Sequence, residues 1–579
     1  MPGFFFVLHD DKNINLTPLK LECNLLSGEI KDEKYAIQRF VLNQYSDDKL
    51  FIDNDDFTIL LDGVISNQAE LRKQYRSKDW LNCILDLYKT KGDSFFNDFR
   101  GTFSGLFLDK GLNKFIIFND HLATKPLYYF KMAGFICISS ELAFLYDFLK
   151  INNIPYDLDL NAVYMLLSYG FMLDDVTLSA QVKKLLPGNY LLIRNQKVSF
   201  HVYYSLPKSF MEKDEINENE VINELDDRFR NAISRQFEKD KIYDYKHLVS
   251  LSGGLDSRMT CWVADEMGYG NQLNITFSQS DYLDETVAKQ IAADLKHEWI
   301  FKSLDNGLYL HDIDAITKIT GGNLIYSGPA HSNSILKYIN FNRLSLLHTG
   351  QLGDVIVSSY ISDTRENLNE IKAAGFYSSK FLNKIEFNYV ENYTNQELFL
   401  MYERGINGIN SGLSIIQQYT ETLSPFYDID FMEYCFSLPI KLRANHYLYK
   451  KWILQKYLKA GKYVWEKTKK PVSYQSKVNI MYKGQKIPIE RLYGLLKLKL
   501  GFSVPVLSTR NHMNPFDYWY NENEELKSYL DSYFHNHMPE ILSISDDLYK
   551  DLRELYKGTT FEKTQVLSVL SAINLFFGK

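Results

Sequence analysis

The sequence predicts two α/β-type domains in series: an α+β unit on antiparallel strands, then an α/β unit on a parallel sheet with a helical tail. Three observations lead there. Residues 1 to about 205 carry short apolar runs broken by turn residues. From about 206 strand and helix patterns alternate, which implies a parallel sheet with right-handed crossovers. Beyond about 390 the pattern is mostly helical. A chain of 579 residues is also too long for a single core. The expected division is therefore 1–205 and 206–579.

Taken in order, Phe57-Thr58-Ile59-Leu60-Leu61 reads as a strand ended by Asp62-Gly63. Residues 102–108 and 115–118 read as a hairpin around Asp109-Lys110-Gly111, and 127–130 with 135–138 as another. A helix is expected over 160–168, then a turn at Leu186-Pro187-Gly188 before a strand at 190–193. In the second unit Glu220 to Arg235 reads as an amphipathic helix. Strands are expected at 247–251, 273–277, 299–301 and 345–348, with helices at about 257–267 and 284–295.

Hydrophobic content of 45% and charged content of 24% are those of an ordinary globular chain. A net charge of −7 argues against general nucleic-acid binding. No apolar stretch is long enough to span a membrane, and the opening run 4–8 is too short for a signal-peptide core. Cys23, Cys83, Cys137, Cys261 and Cys435 lie far apart, fitting neither a disulfide framework nor a zinc site. A reducing, cytoplasmic location is the simplest reading.

The segment that carries chemistry is Ser252-Gly253-Gly254-Leu255-Asp256-Ser257, directly after the apolar run ending at Leu251. Strand, glycine turn and helix in that order build a phosphate cradle. Gly253 and Gly254 let backbone N–H groups approach phosphate oxygens, Ser252 and Ser257 add hydroxyls, and the helix presents its positive end. Asp256 would repel phosphates unless it holds Mg2+. A serine–glycine surface turn is the bland alternative, and the flanking strand and helix argue against it. The motif is not the GxxxxGK[ST] loop; it resembles the pyrophosphate-binding loop of ATP-pyrophosphatases.

More widely, the chain resembles the asparagine synthetase family. In the first half the matches are 61–67 with 70–72, 99–103, 120–129, 139–141 and 185–191. In the second they are 252–257, Asp284-Glu285 with Ala288 and Ala292, 349–354 ending at Tyr360, 424–428 with Glu433, and 466–470. The resemblance implies an Ntn-hydrolase-like domain of the class II glutamine amidotransferase type, an antiparallel β-sandwich. An ATP-pyrophosphatase (PP-loop) domain would follow it. By resemblance ATP is held by Leu251, Ser252, Gly253, Gly254, Asp256, Ser257, Asp284 and Gly350. Asp256 and Asp354 would bind Mg2+. Lys469 would stabilise the developing negative charge, with Lys467 and Lys470 as the other registers of that basic run. Its bland reading is a solvated basic helix face.

The sequence also departs from that family. The glutaminase nucleophile there is a cysteine exposed by methionine removal, whereas Pro2 stands here and no cysteine precedes Cys23. Asp62 occupies the place of an oxyanion-hole asparagine, where a carboxylate would repel an oxyanion. Gln351 stands where asparagine synthetases carry glutamate, and it cannot act as a base. His331 is a candidate base, and a structural histidine is the competing reading.

The resulting expectation is an ATP-dependent amide-bond ligase. It would adenylate a substrate carboxylate, release pyrophosphate, and transfer the acyl group to an amine without hydrolysing glutamine. β-Lactam synthetases and lasso-peptide macrocyclases resemble this layout, which points to specialised metabolism with a small-molecule or peptide carboxylate as substrate. A true asparagine synthetase using ammonia and a non-catalytic ATP-binding scaffold are the alternatives. Delivery of the substrate by a partner protein stays open.

Overall fold

The computed structural model describes residues 2–9, 25–207, 216–362, 367–387, 390–474 and 506–578, with the backbone of 479–482 and 485–488. Cys23 lies outside the described residues. The four other cysteines are free and buried.

The first half holds β1 (Gly3–His9), β2 (Leu25–Lys31), β3 (Tyr35–Leu42), β4 (Leu50–Asp53), β5 (Phe57–Ile65), β6 (Gly101–Asp109), β7 (Lys114–Asn119), β8 (Tyr128–Met132), β9 (Phe135–Ser139), β10 (Val182–Lys184), β11 (Asn189–Arg194) and β12 (Lys197–Val202). They form two antiparallel sheets, ordered β10-β8-β9-β1-β3-β2 and β12-β11-β7-β6-β5-β4. β1 shows why both are buried on two faces. Phe4 and Phe6 enter the core between the sheets, beside Leu106, Ile117 and Ile138. Phe5 and Val7 point the other way, into the core shared with helices Leu142–Ile151 and Leu160–Tyr169. Helix Trp80–Lys91 covers the second sheet with Trp80, Ile84 and Leu87. The result is a sandwich of antiparallel sheets between helices, as the sequence predicts.

One expectation is corrected. β5 does not end at Asp62-Gly63; it runs on to Ile65, with Asp62 opposite Ser104 and Gly63 opposite Phe103. A side chain at Gly63 would sit 2.0 Å from the Thr102 carbonyl oxygen, and its φ is +121°. The glycine therefore marks a close approach of two strands, not a turn.

The second half holds β13 (Lys246–Ser250), β14 (Gln272–Ser278), β15 (Glu298–Ser303), β16 (Leu344–His348) and β17 (Thr422–Leu423). These make one parallel sheet ordered β15-β14-β13-β16-β17. Chain order reverses between β13 and β16, so the loops leaving those two strands diverge and open a crevice at their carboxyl ends. Helix Glu218–Ile242 is longer at both ends than the sequence pattern suggests, and Asn217 caps it. Near its end the buried Asp240 accepts from Tyr45 Oη at 2.7 Å and lies 2.7 Å from both His247 Nδ1 and His348 Nε2. That hub ties β13, β16 and the first domain together. Burial would raise the Asp240 carboxyl, but the His348 and His247 rings hold it below the usual range.

Helices Glu524–Ile541, Asp546–Tyr556 and Thr560–Ala572 return to the first half and share its core. Gln565 donates to the Leu167 carbonyl at 2.9 Å, and Tyr156 Oη to that of Phe576 at 2.6 Å. Among the described residues no helix is long and apolar enough to cross a membrane.

Candidate nucleotide-binding site

The loop after β13 closes on itself. Ser257 Oγ accepts the Ser252 N–H at 3.0 Å and lies 2.8 Å from Ser252 Oγ, which accepts the Gly254 N–H at 3.2 Å. The Gly253 N–H donates to Asp284 Oδ1 at 2.8 Å. Helix Asp256–Glu266 then starts inside the crevice, and its first-turn amides are the donors that the helix itself leaves unpaired. Leu251 is locked below by its N–H to Ile275 O at 3.0 Å and its carbonyl to Thr276 Oγ1 at 2.7 Å.

The loop after β16 meets this one closely. A Cβ on Gly350 would lie 2.3 Å from the Ser257 nitrogen, and one on Gly353 would lie 2.7 Å from the Asp256 carboxyl carbon. Only glycine fits at either place. The approach puts the Asp354 N–H 3.0 Å from Asp256 Oδ2, while Tyr449 Oη donates to Asp256 Oδ1 at 2.8 Å. Burial, then the Asp354 carboxylate, push Asp256 well above the usual carboxylate range. Burial also raises Asp354, against the opposing fields of Lys467 and Arg404. Asp284 is pushed up to about 7 by burial and by Glu466.

Three acids in one crevice, Asp284 buried and Asp256 and Asp354 part-buried, are costly without a counter-charge. This fits a hard cation: Asp256 and Asp354 bring carboxylate oxygens from two neighbouring loops, as Mg2+ requires. Asp284 plays a different part, since its carboxylate shapes the glycine loop.

Of the three lysine registers, Lys467 is the one whose field reaches both Asp256 and Asp354. It donates to His446 Nε2 at 3.3 Å. Lys469, at φ +56°, donates its N–H to Trp465 O at 2.7 Å, and its field falls on His512. Lys470 Nζ lies 4.0 Å over the Tyr474 ring.

Several positioning residues were not legible in the sequence. Arg258 is fully buried and donates to the carbonyls of Gly253, Ala460, Tyr463 and Val464 at 2.7–3.3 Å, so it ties the glycine loop to the segment carrying Lys467. Its place directly after the motif was the only signal. Glu466 donates its N–H to Gly253 O at 3.2 Å and accepts from Tyr282 Oη at 2.7 Å. Gln351 Nε2 donates to Ile409 O at 3.0 Å, at the end of a π-helical turn over Met401–Ile409.

These parts border a cavity of about 600 Å3. Its lining includes Ser252, Asp256, Asp284, Asp354, Gly350 and Gln351, and also Phe171, Tyr377 and Phe561. His331 lines it too, its ring 4.8 Å from Phe277, its Nδ1 unpartnered, and burial holds it down to about 4.

In the first domain Asp62 does not open onto a comparable space. Lys125 Nζ contacts Asp62 at 2.7 Å and Glu421 at 3.0 Å; Lys49 Nζ contacts Glu421 at 2.7 Å and Asp62 at 3.7 Å. All four side chains are buried. Burial would raise Glu421, but Lys125 and Lys49 hold it at about 2.

Residues 40–204 match the family model of the glutamine amidotransferase domain. Asparagine synthetase [glutamine-hydrolyzing] 1 of Bacillus subtilis is 25% identical over 277 residues, 46% of this chain and 42% of that protein. The amidase chyE of Penicillium rubens is 27% identical over 193 residues, 33% of this chain and 27% of that one. The chain thus spans less than half the length of either relative. Among solved structures, glutamine phosphoribosylpyrophosphate amidotransferase from B. subtilis, complexed with ADP and GMP, aligns at TM-score 0.22 and 10% identity. That alignment covers 52% of this chain and 59% of that one.

By these matches the first half carries a glutamine amidotransferase-type domain, and the chain is similar in sequence to enzymes named as asparagine synthetases.

Proposed function

We propose that the chain is an AMP-forming amide-bond ligase that does not hydrolyse glutamine. ATP and a substrate carboxylate react to give an acyl-adenylate and pyrophosphate; an amine then displaces AMP. One observation carries this reading: Asp256 and Asp354, part-buried and close enough to repel, line the cavity at the point where strand order reverses. Mg2+ held by these two carboxylates would neutralise phosphate charge. The first-turn amides of helix Asp256–Glu266 bind phosphate oxygens, and Lys467 offsets negative charge that develops as the α–β bond breaks. Gln351 keeps its side-chain carbonyl oxygen for an N–H of the attacking amine.

Asp62 supports the loss of glutamine hydrolysis, because its carboxylate is committed to Lys125 where a neutral donor would be needed. The amine is then ammonia from solution or part of a substrate. The free buried cysteines suit a cytoplasmic setting.

ATP–pyrophosphate exchange with Mg2+ tests the reading. Exchange that depends on an added carboxylic acid, without glutamate release from glutamine, is the expected result. Exchange with aspartate alone would favour asparagine synthesis, the activity in the name of the B. subtilis relative. ATP binding without exchange for any acid would leave a scaffold.

A further inference from the structure

The lining of the cavity is uneven, and the unevenness bears on the acyl substrate. Its charged side chains, Asp256, Asp284 and Asp354, all lie at one end. Much of the remaining lining is apolar and includes Phe171, Ile325, Leu336, Leu413, Ile416 and Phe561. Phe171, Ile325, Leu336 and Leu413 are almost fully buried, so they form a built wall, not loose surface. Among the described residues no lysine or arginine lines the cavity. Lys467 and Arg404 act on Asp354, at the acidic end.

The polar groups near the apolar wall cannot replace a cation. Gln351 Nε2 is engaged by the Ile409 carbonyl. His331 has an unpartnered Nδ1, stacks on Phe277, and is neutral near pH 7 because burial disfavours its charged form. A second carboxylate placed here would lose its hydration without a counter-ion from the described residues. An uncharged hydrocarbon group would gain from the same wall at about 25 cal/mol per Å2 buried.

Resting on the adenylating reading above, we infer that the acyl substrate is a monocarboxylic acid with an apolar or aromatic body, and that dicarboxylic amino acids such as aspartate are excluded. The carboxylate lies toward Asp354, which with Asp256 would hold the cation. The body fills the space between Phe171, Leu413 and Phe561. In the activation step the carboxylate oxygen bonds to the α-phosphorus of ATP, the α–β bridging bond breaks, and pyrophosphate leaves with that electron pair. No oxidant or reductant is needed.

The test is ATP–pyrophosphate exchange by the full chain with Mg2+ against two acid sets. One holds hexanoate, decanoate, 3-phenylpropionate, N-acetylphenylalanine and N-acetyl dipeptides ending in leucine or phenylalanine. The other holds aspartate, glutamate and succinate. Exchange at least about 100-fold faster with the best apolar acid is expected. Equal or faster exchange with a dicarboxylate overturns the acyl assignment and leaves the adenylating reading intact. Exchange with no acid in either set overturns both.

Ile409→Arg supplies a second arm. Ile409 lines the mouth and is 41% exposed, so a cation there is tolerated by the fold. The variant should lose about tenfold with apolar acids and gain with dicarboxylates. Unchanged selectivity in a folded variant overturns the placement of the acyl body.

Discussion

Asp62 and Glu421 meet Lys125 and Lys49 in a buried group of two acids and two bases, each acid within 3.7 Å of both lysines. Asp256, Asp284 and Asp354 share a crevice where the opposing cations act only from a distance, as fields on Asp256 and Asp354. Both groups are acids placed by glycine-tight backbone, Gly63 in one and Gly350 in the other; the first is fully buried, the second only partly. The first is neutral and closed, so Glu421 falls to about 2. The second is acidic and open to a cavity, so Asp284 rises to about 7 and Asp256 is pushed well above the usual carboxylate range. A buried carboxylate matched by a base is part of the fold; one left unmatched beside a cavity is built for a ligand that brings the charge.

That contrast can be broken from either side. The largest effect is expected in the closed group. Lys125→Met strands Asp62 and Glu421 together and should lower stability by about 3–5 kcal/mol in urea denaturation. Adding Asp62→Leu should recover part of that loss; strict additivity would mean the four side chains are not one unit.

In the open group the sign for stability reverses. Asp256→Asn should cut pyrophosphate exchange by about 100-fold or more, worth ~2.7 kcal/mol. Its urea midpoint should hold or rise, because one of two repelling charges is gone. A large loss of stability would make Asp256 a second Asp62.

Lys467→Ala and Lys469→Ala sharpen the placement of the cation. A loss of about tenfold to 100-fold in exchange is expected for the first and under about threefold for the second. The reverse order would return the role to Lys469.

The smallest effect is pH-dependent. Asp284 is raised in the folded state from an ordinary 3.8 to about 7. The folded chain therefore keeps a proton that the unfolded chain releases. The stability this contributes is complete below about pH 4 and is lost as pH rises through 7. Asp284→Asn, neutral throughout, should be more stable than the parent at pH 8 by on the order of 1–2 kcal/mol. The gap should narrow toward pH 4, as urea midpoints at three pH values would show.

The two regions also differed in how far they could be read in advance. Ser252 to Ser257 reads as a phosphate loop from its own residues, because such a loop needs glycine, hydroxyl and carboxylate at a strand end, a local requirement written in consecutive residues; Gly350 and Asp354 came from the family resemblance, and the structure sets both against that loop. β5 was cut short because glycine in a strand usually signals a turn, and only the partner strand shows that Gly63 lies against Thr102. Arg258 and Tyr449 were invisible for a related reason. Tyr449 reaches Asp256 across 193 residues, and Arg258 acts through carbonyls some 200 residues away.

Apolar period and glycine placement are properties of neighbouring residues, so the sequence alone determined the change from antiparallel to parallel strand pattern and the strand, glycine turn and helix that carry Ser252 to Ser257. Tertiary structure decided which charges are matched. Asp62 is held by Lys125 and Lys49, Asp256 faces Asp354, and Lys467 comes nearer to that pair in effect than Lys469. Net electrostatic environment depends on distance and burial in three dimensions, and neither is encoded in the spacing along a chain.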